Sequence, residues 1–251
     1  MKHTASSTLS LWLAAGMLAI AVNPAMAQKT GKSTTSNPPP SADLAYTISA
    51  VQKGLSLNGN ASLQWRASEG RYSIVSETRA SIVGKILDAK SEGLIDATGL
   101  VPQTSFEKRF RKEATTTTFD RQEKVIRFGA ADNTYPLQGG EQDRNSIIWQ
   151  LATIARSTPA KFKSGSTIAA VVAGQKNAEA WSFKVGKSET IKSGIGDVSA
   201  IKVSKVLGNS DKDQKIDLWL APSQNWYPVR IRFSESDGDF IEQTVSKITP
   251  Q

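Results

Sequence analysis

Cysteine is absent from the 251 residues, histidine occurs once, at His3, and the only methionines are Met1, Met17 and Met26. All four of these positions fall in an N-terminal stretch with its own signature. Lys2 and His3 precede an apolar run from Leu9 to Val22, and Pro24-Ala25-Met26-Ala27 follows with small residues at a small-x-small spacing. That order predicts a secretory signal peptide cleaved after Ala27. The apolar run falls short of the ~20 residues a spanning helix needs, so no stable membrane span is expected after cleavage. A mature chain with no His, Cys or Met excludes Ser-His-Asp and Cys-His nucleophilic catalysis, thiolate or imidazole zinc sites and disulfides. It also excludes a lipid anchor on an N-terminal Cys. No catalytic residue, metal or cofactor is assigned from the sequence.

What is present is basic. The chain carries 31 Lys and Arg against 23 Asp and Glu, and loss of the leader removes only Lys2 from that count. For an exported protein this excess points to solubility and to anionic envelope components rather than to nucleic acid. A cysteine-free chain of this size can build one core without covalent staples, and the periplasm is the compartment expected.

Residues 28 to 43 are polar and Pro-rich, and they read as a disordered leader. From Leu44 to the C-terminus the signals are period-two alternations broken by Gly, Asn, Asp and Pro, the pattern of antiparallel strands in a single β-rich domain. Ala61, Leu63, Trp65 and Ala67 share one face before the Glu69-Gly70 turn, and Tyr72 and Ile74 return on that face. Further alternations run from Ile82 to Leu94, Phe106 to Arg111, Thr115 to Phe119 and Lys124 to Phe128. Later ones are Trp181-Phe183-Val185, Ile201-Val203, Leu218-Leu220 and Tyr227-Val229-Ile231-Phe233, with Asp237-Gly238 as the last hairpin turn. About eleven strands are too many for a flat sheet. The expected fold is therefore all-β and mainly antiparallel: a curved sheet, half-barrel or barrel. One amphipathic helix between Asp143 and Arg156, with Ile147, Ile148, Leu151, Ile154 and Ala155 as its stripe, should lie across the open mouth or concave face.

The short motifs carry little chemistry. Gly31-Lys32-Ser33 and Gly186-Lys187-Ser188 lack the upstream glycine of a phosphate loop. Ser105-x-x-Lys108 and Ser199-x-x-Lys202 lie in strand-like runs, where residues three apart face opposite sides. Asn209, Asp211 and Asp213 imitate a calcium loop without its glycine or its closing acid. Glu235, Asp237, Asp239 and Glu242 could supply paired carboxylates to a hydrolase, the least favoured class, because they surround a solvated hairpin. Phe106 to Lys112 (FEKRFRK) reads as a charged edge strand or as a site for phosphate or anionic lipid heads.

Several segments resemble an exported proteobacterial family known as domain of unknown function 3108, over about residues 44 to 248. They are Tyr46, Gly99-Leu100-Val101-Pro102, Phe119-Asp120, Thr190-Ile191-Lys192-Ser193-Gly194 and Ala200-Ile201-Lys202-Val203. The most specific is Leu218-Trp219-Leu220 followed by Tyr227-Pro228-Val229-Arg230 and Asp237-Gly238. The resemblance implies a β-rich exported domain and no particular activity.

Two non-enzymatic readings follow. In the first, the protein binds a lipid or other apolar envelope molecule in a cavity lined by Trp65, Tyr72, Ile147, Trp149, Leu151, Trp181 and Tyr227, with the helix as lid. In the second, the core is filled, and an envelope protein docks on an outward hairpin carrying Trp219, Trp226, Arg230 and Arg232.

Overall fold

A computed structural model describes residues 35–208 and 214–251. The export segment, the first part of the leader and the calcium-like triplet Asn209, Asp211 and Asp213 lie outside the described residues.

Fifteen strands form one sheet. The chain starts in its middle and meanders outward through β1 (Ala42–Gln52), β2 (Leu55–Ser68), β3 (Arg71–Ala80), β4 (Gly84–Asp96), β5 (Gly99–Arg109), β6 (Thr115–Asp120), β7 (Val125–Arg127) and β8 (Thr134–Pro136). It then supplies the opposite edge, β9 (Gln142–Asp143), and the helix α1 (Ser146–Ser157). From there it meanders back through β10 (Thr167–Ala173), β11 (Ala178–Ser193), β12 (Gly196–Lys205), β13 (Lys215–Ala221), β14 (Tyr227–Ser234) and β15 (Phe240–Pro250). β15 closes against β1 in antiparallel register, Val51 opposite Phe240 and Leu44 opposite Ile248. Every ladder is antiparallel except the two-residue pairing of β9 with β10.

This connectivity forces the sheet to curl. Laid flat, fifteen strands would hold their edges about 67 Å apart at the usual strand spacing. The edges β8 and β9 are joined by residues 137 to 141 alone, a link that reaches only about 21 Å fully extended. The sheet therefore closes on itself almost into a barrel, yet β8 and β9 do not pair. The result is a barrel with a seam.

One end of the seam is sealed by polar clasps and a small apolar cluster. The Thr117 hydroxyl donates to Gly174 O at 3.0 Å, Ala130 N donates to Gln175 O, and Gln142 Nε2 donates to Leu100 O at 2.8 Å. Phe119, Ile126, Phe128, Leu137 and Ala173 pack across the same place. The other end of the seam stays open.

The alternating strands fall where the period-two pattern puts them, with Trp65, Tyr72, Ile74, Phe183 and Val203 all buried. The count is higher than expected because β8, β9 and β10 carry no alternation. Gly99-Leu100-Val101-Pro102 opens β5, and Ile82 and Val83 sit in the β3–β4 turn rather than in a strand. The FEKRFRK run is not an edge strand either. Phe106 and Glu107 pair with β4 on one side and β6 on the other, while Phe110 to Lys112 form the turn beyond.

The Pro-rich segment just before β1 is also tied down. Asn37 N donates to the Ser157 hydroxyl, Arg156 Nε donates to Asn37 O, and Pro39 is buried. The domain's packed chain thus begins several residues before Leu44. Three prolines preset the extended backbone this strap needs at little entropic cost.

Candidate functional site

The helix also departs from expectation. Ile147, Leu151 and Ala155 are buried, but so are Ser146, Trp149, Ala152 and Thr153 on other faces. Trp149, off the apolar stripe, is only 1% exposed. Its indole lies flat on Trp65, centroids 4.3 Å apart and planes 8° from parallel, and Tyr227 meets it edge-on at 6.1 Å. Tyr72 packs against Trp65 at 6.0 Å. α1 is therefore a plug inside the curl and not a lid over a void. Ile147 and Leu151 turn to a second cluster with Trp181, Phe183, Val203, Leu218 and Leu220.

All seven residues expected to line a cavity thus lie in the packed core. The polar side-chain atoms of Trp65, Tyr72, Trp181 and Tyr227 are also engaged by the chain. Trp65 Nε1 donates to Pro39 O at 2.9 Å and the Tyr227 hydroxyl to Pro40 O at 3.0 Å, so the Pro-rich strap serves as the hydrogen-bond floor of the aromatic stack. Tyr46 donates to Pro228 O at 2.8 Å, and burial pushes its phenol pKa up.

Tyr72 belongs to a buried relay. Its hydroxyl is 3.0 Å from Ser91 Oγ, which in turn lies 2.5 Å from Asp143 Oδ2. Asp143 Oδ1 accepts from the backbone N–H of Asn145 and Ser146 and so caps α1. Burial raises the Asp143 pKa above its ordinary value, opposed by its hydrogen bonds to Ser91, Ser146 and Asn145. With its oxygens committed to Ser91, the cap and the core, this carboxyl fastens β9 to β4.

The outward hairpin is not an exposed aromatic patch. Trp219 does face away from Leu218 and Leu220, but it is 6% exposed. Lys202 and Arg230 flank its ring at 4.9 and 5.9 Å, and its Nε1 donates to Glu189 at 2.8 Å. The β11–β12 hairpin reaches across β14 to β15. Gly194 N donates to Val245 O there, at a point where any Cβ would lie 2.6 Å from the Ser246 backbone. Trp226 points elsewhere and meets Phe162 edge-on at 5.3 Å. Arg230 and Arg232 both reach Glu242. The acidic cluster is likewise engaged: Asp239 accepts from Lys53 N, Asp237 from Asp239 N, and Glu235 from Gln214.

What remains open is the seam. Gln150 fastens α1 to the β4–β5 turn, its Oε1 accepting from Leu100 N and its Nε2 donating to Thr98 O. Gly99 is required beside it, because at φ +120° a Cβ would lie 2.2 Å from that Oε1. Across from this turn, β10 bonds β11 along its whole length but meets β9 only at Val172 and Ala173. Ser166 O accepts from Val185 N and so points at β11. By strand alternation Thr167, Ala169 and Val171 then turn their N–H and C=O groups toward the seam. No strand pairs with that edge among the described residues.

Between the β10 edge, the Ala97-Thr98 turn and the C-terminal half of α1 lies a cleft of about 790 Å³. Its apolar surface comes from Ala97, Ile154, Ile168 and Ala169; Ser36, Thr98, Thr153, Ser157 and Thr158 add hydroxyls, and Lys161 adds a cation. Ser36 Oγ is buried with no hydrogen-bond partner. A volume of this size suits a small-molecule ligand. A second groove of about 400 Å³ lies along β2 to β5 beside Arg66 and Arg71, but Arg66 is already held by Asp43 and the carbonyls of Ala42 and Trp65. The seam cleft was missed in the sequence because β10, TIAAVVA, is a continuous apolar run. Its bounding Gly165 and Gly174 were the available sign of a strand.

Residues 45–245 match the family described as protein of unknown function DUF3108, and the chain belongs to that family. No curated protein matches the chain. Among solved structures, a β-barrel-like protein of domain of unknown function DUF1849 from Brucella abortus is 13% identical with a TM-score of 0.56, covering 85% of this chain and 99% of its own. It shares the barrel-like fold. A DUF1329 family protein from Desulfovibrio piger is 6% identical with a TM-score of 0.29 over 85% of this chain and 86% of its own. A putative outer membrane lipoprotein-sorting protein domain from Vibrio parahaemolyticus is 9% identical with a TM-score of 0.28, covering 84% and 86%. The last two overlaps are too loose to define a shared fold.

Proposed function

We propose that this protein is a non-enzymatic binding protein of the periplasm, exported with cleavage after Ala27, which holds an amphiphilic envelope molecule in the seam cleft. The observation that carries the reading is the incomplete closure of the barrel. A sheet that could have paired its edges leaves one end of the seam apart and lines the gap with aliphatic side chains, hydroxyls and one lysine. An amphiphile would lay its apolar part on Ile154, Ile168 and Ala169 and its polar part against the hydroxyl rim and Lys161. The aromatic residues of the core act as a rigid frame for that cleft and do not touch the ligand.

Native mass spectrometry with organic extraction, on protein purified from a periplasm without detergent, tests this. The reading expects a co-purifying amphiphile that is lost in Ala169→Trp, which fills the cleft. Repeated recovery of bare wild-type protein would contradict it.

The unpaired edge of β10 supports a second reading, in which an extended segment of an envelope protein adds as a strand beside Thr167, Ala169 and Val171. Edge strands are normally guarded by charge, proline or a bulge, and this stretch has none of them. Val171→Pro separates the two readings, since Val171 does not line the cleft. It removes one outward N–H without touching the β11 ladder, so it blocks strand addition and leaves an amphiphile bound.

A further inference from the structure

Among the described residues seven large hydrophobic side chains are exposed: Leu55, Val75, Ile82, Val83, Phe110, Val206 and Leu207. Scattered singly they would need no account. Their distribution is not scattered. In an antiparallel meander alternate turns fall at the same end of the sheet, and every one of these residues except Val75 lies at the end that carries the β1–β2, β3–β4 and β5–β6 turns. Leu55 is 66% exposed just after the first turn, Ile82 is 87% exposed in the second, and Phe110 is 44% exposed in the third. None of Leu55, Ile82, Val83 and Phe110 belongs to a core cluster or packs against one. Turn positions favour Gly, Asn, Asp, Pro and Ser, so Ser81-Ile82-Val83-Gly84 gains nothing local from its two central residues.

Two of the three tips, β1–β2 and β5–β6, carry an excess of cations, against the acid Glu113 in the β5–β6 turn. Lys53, Lys108, Arg111 and Lys112 take part in no ion pair among the described residues, whereas Arg79, Lys85 and Arg109 are paired with Glu77, Asp88 and Glu107. The Arg111 guanidinium stands 4.9 Å over the Phe110 ring, which holds a cation beside an exposed apolar face. The adjoining β14–β15 turn, with Glu235, Asp237 and Asp239, is acidic and bounds the patch on one side.

Apolar side chains at the outermost point of a rim, with unpaired cations around them, are complementary to an anionic bilayer surface: the side chains enter the interface and the cations meet the phosphates. We infer that the tips of the β1–β2, β3–β4 and β5–β6 hairpins form a docking surface for anionic phospholipid membrane. Among the described residues no helix is long and apolar enough to cross a membrane. The contact is peripheral and reversible, and it lies at the end of the barrel away from the open part of the seam.

The test is co-sedimentation of the mature protein with vesicles of phosphatidylethanolamine containing phosphatidylglycerol, against vesicles of phosphatidylcholine alone. The wild type should sediment with the anionic vesicles, less so at raised salt, and stay in solution with the neutral ones. Each charge removed among Lys108, Arg111 and Lys112 should weaken binding about fivefold. Ile82→Ser with Val83→Ser should weaken it as well, with an unchanged melting temperature, since neither side chain touches the core. The absence of cysteine allows a direct reporter. Ile82→Cys carrying an environment-sensitive fluorophore should shift to the blue with anionic vesicles only. Equal sedimentation with both lipids, an unshifted label, or undiminished binding after reversal of the three charges would overturn the inference. The cleft-filling Ala169→Trp should leave vesicle binding as it is, which keeps this surface separable from the proposed ligand site.

Discussion

The interior of the curl and the seam are built from the same strands yet treat their hydrogen-bonding groups in opposite ways. Inside, Trp65, Tyr46 and Tyr227 each find a carbonyl on the Pro-rich strap or on Pro228, and the Trp149 ring fills the space over Trp65. At the seam, Thr167, Ala169 and Val171 face outward with no strand beside them, and Ser36 keeps an unpartnered buried hydroxyl. Thr167 and Ala169 are exposed, so water serves their outward groups, whereas the buried Ser36 hydroxyl, like Gln142 Oε1 at the sealed end, goes unpartnered at a cost of about 1 to 3 kcal/mol. That difference supports the binding site proposed at the open part of the seam, with the packed aromatic core as its frame.

The strongest way to break this comparison is to empty the interior. Trp149→Ala should lose about 3 to 5 kcal/mol in chemical denaturation, because the strap and the Trp65 face cannot collapse into the space of an indole. If α1 were a lid over a hollow barrel, the loss would be far smaller. Next comes the hinge between the two regions. Gly99→Ala puts a Cβ against the Gln150 amide at a positive φ and should cost about 1 to 3 kcal/mol. It should also raise protease sensitivity around Ala97-Thr98, which a purely local strain would not do.

The Asp143 clasp gives a smaller effect with a defined sign. Its carboxyl has a folded pKa above the ordinary value near 3.8. Its favourable contribution is therefore fully present below that value and is lost as pH rises through the raised pKa. Asp143→Asn keeps an acceptor for the helix cap and does not ionise. Melting temperatures followed upward from pH ~4 should shift in favour of the variant; parallel curves would show that the carboxyl stays uncharged or unshifted. The smallest effect belongs to the seam itself. Ala169→Pro should change stability by less than about 1 kcal/mol, since its N–H serves no ladder. A loss comparable to Trp149→Ala would mean that this edge is structurally paired.

Much of the frame was legible in the chain. Trp65, Tyr72, Trp181 and Tyr227 were placed on the inner face because a two-residue period survives in half-buried strands. The helix was legible from Ile147, Leu151 and Ala155. The enclosure of the helix, with Trp149 packed on Trp65, is not legible, because a one-sided stripe is the usual sign of a covering helix and nothing local announces that a sheet will curl around it. Trp219 was placed on its correct face, but its burial depends on Lys202, Arg230 and Glu189, which come from three other strands. The seam was invisible for a related reason. It arises from a pairing that does not form, between β10 and strands distant in sequence, and an absent long-range contact leaves no local mark.

Residue-resolved amide hydrogen exchange reads the state of the β10 edge directly in the native protein. Ile168 and Ala170, whose N–H groups bond β11, should be protected to nearly the same degree as Trp65 and its neighbours, while Thr167, Ala169 and Val171 exchange orders of magnitude faster. Uniform protection from Thr167 to Val171 would mean that the seam is closed by a partner strand in the protein itself, and the cleft could not be its binding site.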